Sequence, residues 1–85
     1  MTKYENRRDE LAEKLARAWF LDGQQGNIGQ MRLTQMRPLA EIALAEMAEE
    51  LRTEKKLHTL LERSEYTETD KRIDEAYLKQ LGLVP

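Results

Sequence analysis

Apolar residues recur at helical spacing along nearly the whole chain. From about Lys3 to Leu21, the residues Tyr4, Leu11, Ala12, Leu15, Ala18 and Trp19 gather on one side of a helix turning about 100° per residue. Arg7, Asp9, Glu10, Glu13, Lys14 and Arg17 cover most of the remainder. Asp22-Gly23 reads as the stop, with Gly23 supplying the left-handed position just past the helix end. A second helix is predicted from about Gln35 to Arg63. Pro38 suits only its first turn, where a missing N–H is no loss, and Thr34 stands where a cap belongs. A break at Ser64–Thr67 follows. Thr67 or Thr69 then caps a third helix, about Glu68 to Leu81, with Glu68 and Asp70 beside its positive end. Ile73, Ala76, Tyr77 and Leu81 form the stripe expected to face inward. Leu81-Gly82-Leu83 is the stop, with Leu83 placed to fold back on the helix.

The second helix departs from an ordinary amphipathic pattern. Met36, Leu39, Ala40, Ile42, Ala43, Leu44, Met47, Leu51, Leu57, Leu60 and Leu61 spread over an arc of about 200°, against about 100° for a surface helix. Two neighbours are needed to cover such an arc, either the other two helices or a second copy of the chain. The fold expected is therefore all-α: one domain, residues 1–85, a small three-helix bundle with one long central helix, which dimerisation would complete. The connection before that helix, Gly23 to Thr34, is long for a helix–helix loop. Ile28, Met31 and Leu33 are expected to pin it to the core. Its glycines suggest a phosphate loop, but the preceding strand and the Gly-Lys-Ser/Thr ending of that motif are missing.

Composition narrows the function classes. A chain of 85 residues buries only roughly 60–65% of its unfolded surface, and with no cysteine it has neither disulfides nor thiol chemistry. The net charge of -2 is unevenly placed: residues 1–40 carry seven basic side chains against five acidic, and residues 41–85 carry seven against eleven. Such asymmetry permits docking between copies but falls short of a nucleic-acid footprint. No stretch approaches the ~20 apolar residues of a membrane span, and the N-terminus runs into charged helix without a signal-peptide core. A cytoplasmic location is expected.

Candidate chemistry is sparse. Glu46, Glu50, Glu54 and His58 recur every four residues, a row suggestive of a divalent cation or of acid–base work. The Glu-x-x-His pairs of helical metal centres do not occur, so a solvated acidic seam, paired with Lys or Arg from another helix or subunit, is the favoured reading. Glu46-x-x-Glu49 with Glu50 also slightly resembles one half of the motif by which all-α nucleotide pyrophosphohydrolases related to the MazG family hold magnesium. The acids downstream, Glu65, Glu68, Asp70 and Asp74, do not make the Glu-x-x-Asp spacing of the second half. The single serine, Ser64, lies six residues after His58, on the opposite side of the helix or past its end, which argues against a nucleophilic triad. No catalytic residue, cofactor site or metal ligand is assigned, and a non-enzymatic role is expected.

Two binding roles compete. In a helix-turn-helix variant, Arg7, Arg8, Lys14, Arg17, Arg32 and Arg37 would contact phosphates, but the third helix would have to enter the groove carrying Glu68, Asp70, Asp74 and Glu75. In a protein-interaction module, the contacts would come from Trp19, Phe20, Ile28, Met31, Leu44, Met47, Leu51 and His58, with the long helix as a homodimer seam and an unidentified protein as partner. The run Arg8-Asp9-Glu10-Leu11-Ala12-Glu13-Lys14-Leu15-Ala16-Arg17-Ala18-Trp19, followed after a polar loop by Met36 to Glu50, resembles small helical proteins of bacteriophages, common in phages of actinobacteria. That resemblance covers about the first fifty residues. It implies a phage accessory protein in the host cytoplasm and brings no catalytic residue. The interaction module is the role the sequence favours.

Overall fold

The computed structural model describes residues 1–19 and 29–85. Phe20, Ile28 and the Asp22-Gly23 stop lie outside them. Three helices are present, α1 (Lys3–Trp19), α2 (Gln30–Arg63) and α3 (Glu68–Gln80), and no strand occurs among the described residues.

Caps set several of these boundaries. Thr2 and Glu5 form a reciprocal box at the start of α1: the Glu5 amide donates to Thr2 Oγ1 at 3.1 Å and the Thr2 amide to Glu5 Oε1 at 3.3 Å. The Thr-x-x-Glu signature of this box is written in the sequence as Thr2-Lys3-Tyr4-Glu5. Thr67 and Asp70 repeat the device on α3, with Asp70 N donating to Thr67 Oγ1 at 3.3 Å and Thr67 N to Asp70 Oδ2 at 2.9 Å. At the other end of α3, Leu83 N reaches the Leu78 carbonyl and Gly82 N the Lys79 carbonyl, both at 3.0 Å, around a Gly82 with φ +74°. This is the Schellman closure the sequence predicted. A Cβ on residue 82 would stand 3.0 Å from the Lys3 carbonyl oxygen, so the turn also lets α1 and the chain end approach closely.

The start of α2 differs from expectation. The helix begins at Gln30, and Gly29 takes the N-cap position without a side-chain cap bond. Thr34 is inside the helix, and so is Pro38, well beyond the first turn. Pro38 is exposed, so the Thr34 carbonyl it leaves without a donor faces the solvent side, while Leu33, Met36 and Ala40 on the inner side are packed against α1. Burial of that side outweighs the local preference of one residue.

α1 runs antiparallel to the first half of α2. Ala12 and Ala16 meet Met36 and Ala40, and Leu11, Leu15 and Leu33 pack around them. α3 runs antiparallel to the second half, with Leu78 and Leu83 against Leu44 and Ala48, joined by Tyr4, Leu11, Leu51, Leu81 and Val84. The start of α1 and the end of α3 thus meet over the middle of α2, and Arg7 Nη1 donates to the Leu81 carbonyl at 3.2 Å. The stripe predicted for α3 is corrected. Ile73, Ala76 and Tyr77 are exposed, and the inner face is Asp70, Asp74 and Leu78. Those aspartates can face inward because the Thr67 cap and Arg63 take up Asp70 and the Tyr66 hydroxyl donates to Asp74 Oδ2 at 2.7 Å.

The result is a rod. The principal extents are 52 × 23 × 16 Å and the radius of gyration is 16.4 Å, where a compact chain of this length has about 12 Å. The 34 residues of α2 account for about 51 Å of the long dimension. With α1 and α3 laid end to end along it, α2 is covered on one side.

Candidate functional site

A face of α2 that flanks its contact with α1 and α3 carries the features that the core leaves unexplained. Leu39, Met47, Leu57 and Leu61 retain 47%, 41%, 56% and 87% of their surface. At 100° per residue these four, with Ala43, fall within about 80° of the helix circumference. Glu46, Glu50 and Glu54 occupy the same sector, between an apolar patch at each end. None of the three carboxylates makes an ion pair or hydrogen bond with a described residue, in contrast to Glu49, which accepts from Arg52 Nη1 at 3.5 Å. His58, 71% exposed at its side chain, stands 3.5 Å from Glu62, outside the row. Ser64 closes α2 with φ +59°. Among the described residues no three His, Asp or Glu side chains converge as metal ligands.

Two clefts border this sector. One, of about 340 Å³ between α1 and α2, is lined by Arg7, Glu10, Leu11 and Lys14 with Met47. The other, of about 400 Å³ between α2 and α3, is lined by Leu51, Glu54, His58, Asp74 and Tyr77, and the Lys55 ammonium lies 4.1 Å from the centre of the Tyr77 ring. Met47 and Glu54 belong to both the sector and a cleft, so α1's basic edge, the open face of α2 and the exposed Tyr77 of α3 form one continuous surface. On the far side of α3, Arg52 pairs with Glu75 at 2.6 Å, which holds the Glu75 carboxyl below the usual range. Burial, reinforced by the bond to Asp74, pushes the Tyr66 hydroxyl up to about 12.

The predicted contact residues are scattered rather than gathered. Met47 lies on the open face. Leu44, 1% exposed, is spent on the core, because both α1 and α3 close over it, and it leaves the set of contacts. Leu51 is half-buried against that same core. Trp19 and Met31 are both largely exposed at the end of the α1–α2 pair, remote from the open face. Leu39, Leu57 and Leu61 were legible as apolar positions, but only the placement of α1 and α3 shows that these helices leave them exposed.

Three arginines of the DNA-binding reading are held by carboxylates. Arg8 is held by Asp9 at 3.0 Å, Arg37 by the same carboxylate at 3.2 Å, and Arg17 by Glu13 at 2.8 Å. Burial raises Asp9 and its two guanidinium partners more than reverse this, leaving its carboxyl below the usual value. The geometry defines an all-α chain with an open helix face; no family model matches the sequence, and neither the curated proteins nor the solved structures contain a match.

Proposed function

We propose that this chain is a non-enzymatic protein-interaction module that self-associates through the open face of α2. One observation carries the reading: large apolar side chains line one uncovered sector of a helix that extends the length of the molecule. Area supports it. The accessible surface is 6374 Å², whereas a compact monomer of 10.0 kDa exposes about 5,200 Å². The excess of about 1,100 Å² belongs to the elongated chain as a whole and is enough to accommodate the ~800 Å² that each partner buries in a standard interface. Phage accessory proteins, which the first fifty residues resemble, fit such a role, acting in the host cytoplasm on a host or phage protein. None of the described helices is long and apolar enough to cross a membrane. DNA binding has less support, because three of its arginines already have carboxylate partners.

The test is a double variant, Leu57→Glu with Leu61→Glu, followed by light scattering and circular dichroism. Both side chains are exposed, so helix content should be kept while the assembly falls to monomers. An unchanged assembly would remove α2 from the interface.

A further inference from the structure

The open face of α2 has a palindromic spacing. Apart from Met47, whose mirror position is Thr53, its residues Leu39, Ala43, Glu46, Glu50, Glu54, Leu57 and Leu61 are separated by four, three, four, four, three and four residues, symmetric about Glu50. Steps of three and four are those of a helix–helix seam, here with two consecutive fours at the centre, and a symmetric series is self-complementary in the antiparallel sense. We infer that two copies pair their α2 helices antiparallel about a two-fold axis at Glu50, with the basic edge of each α1 set beside the acidic row of its partner. This rests on the self-association proposed above and specifies its register, its partner and its charge pairing.

In this register Leu39 of one copy meets Leu61 of the other, Ala43 meets Leu57, and the axis passes between the two Glu50 side chains. Apolar contacts close both ends. The six carboxylates in the middle would repel one another without counter-charges, and the second copy brings them. Arg7 and Lys14 line the α1–α2 cleft beside Met47, and the two-fold places Met47 opposite Thr53 of the other copy. Arg7 is thereby carried to the level of Glu54, in the cleft that also holds Asp74 and Tyr77. Arg7 makes one bond to the Leu81 carbonyl, which uses one of its five donors. The same operation fills out the architecture. α1 covers the first half of α2 and α3 the second, so each level of the dimer holds two α2 helices, α1 of one copy and α3 of the other. A rod two helices thick becomes a four-helix section along its length.

The chain has no cysteine, so engineered thiols report cleanly. Glu50→Cys should form disulfide-linked dimers under mild oxidant, since the axis sets this position against itself. Glu46→Cys mixed with Glu54→Cys should cross-link faster than either alone, and Ala45→Cys, on the other side of α2, should stay unlinked. Charge reversal supplies a second readout. Arg7→Glu and Glu54→Arg should each weaken the dimer about three- to thirtyfold, and combining them should restore it. A dimer by light scattering in which Glu50→Cys links no faster than Ala45→Cys would overturn the register while leaving self-association standing. A monomeric wild-type chain would overturn both and assign the face to a different molecule with a basic centre.

Discussion

The two halves of α2 are held by different chemistry. Along the first half, α1 packs mainly through small side chains, Ala12 and Ala16 against Ala40, all fully buried, with Met36 filling the remaining space and the Arg37–Asp9 pair crossing the same seam at 3.2 Å. Along the second half, the ion pairs Arg52–Glu75 and Arg63–Asp70 attach α3, the Thr67 cap and the Tyr66–Asp74 bond brace its start, and Leu78 is its main apolar anchor. Burial of apolar surface is worth about 25 cal/mol per Å² and is not screened by salt, whereas half-exposed ion pairs contribute about 0–1 kcal/mol each and are screened. The α1 half should therefore be the stable part and the α3 half the part that opens first.

Leu44, where the two halves join, offers the largest effect. Leu44→Ala should cost about 2–5 kcal/mol in chemical denaturation, because it leaves a cavity beneath both α1 and α3. Overpacking should separate the halves: Ala16→Leu would wedge α1 from α2 at a cost of about 1–3 kcal/mol. Thr67→Ala should cost about 1 kcal/mol and raise hydrogen exchange in α3 while α1 amides stay protected. If α1 amides exchange equally, the halves are one cooperative unit and the contrast fails. Glu75→Ala should cost about 1 kcal/mol or less and lose its effect at high salt.

The smallest effect is acid sensitivity. The Thr67 amide, and then Arg63, hold Asp70 below its ordinary 3.8, and Arg52 holds Glu75 below its ordinary 4.5. The folded state therefore binds protons less readily than the unfolded chain. The stabilisation is complete above those ordinary values and is lost as pH falls through the lowered ones. Asp70→Asn with Glu75→Gln should flatten a melting-temperature profile on its acid side; an unchanged slope would show that these groups do not anchor α3.

Much of the fold was legible where one residue decides local geometry. Thr67 capped α3 and Gly82 ended it as their chemistry demands, and the wide apolar arc of α2 called for two neighbours, either the other helices or a second copy. The sequence misled where packing overrode local preference. Pro38 argued for a helix start near Gln35, yet burial of Leu33 and Met36 carries the helix back to Gln30. α3 was assigned its inward face from Ile73 and Tyr77, because an apolar count takes no notice of Asp70 and Asp74 once caps and a tyrosine satisfy them. The candidate surface was half legible for the same reason. Glu46, Glu50 and Glu54 could be placed in a row, but whether other side chains neutralise them depends on where α1 and α3 lie.

The most direct test is the mass of the unmodified chain, followed by light scattering across a range of concentrations at low and high salt. An apolar seam along α2 predicts twice the 10.0 kDa chain mass at both salts, dissociating only on dilution. A mass of 10.0 kDa throughout would contradict it and leave the open face without its second copy.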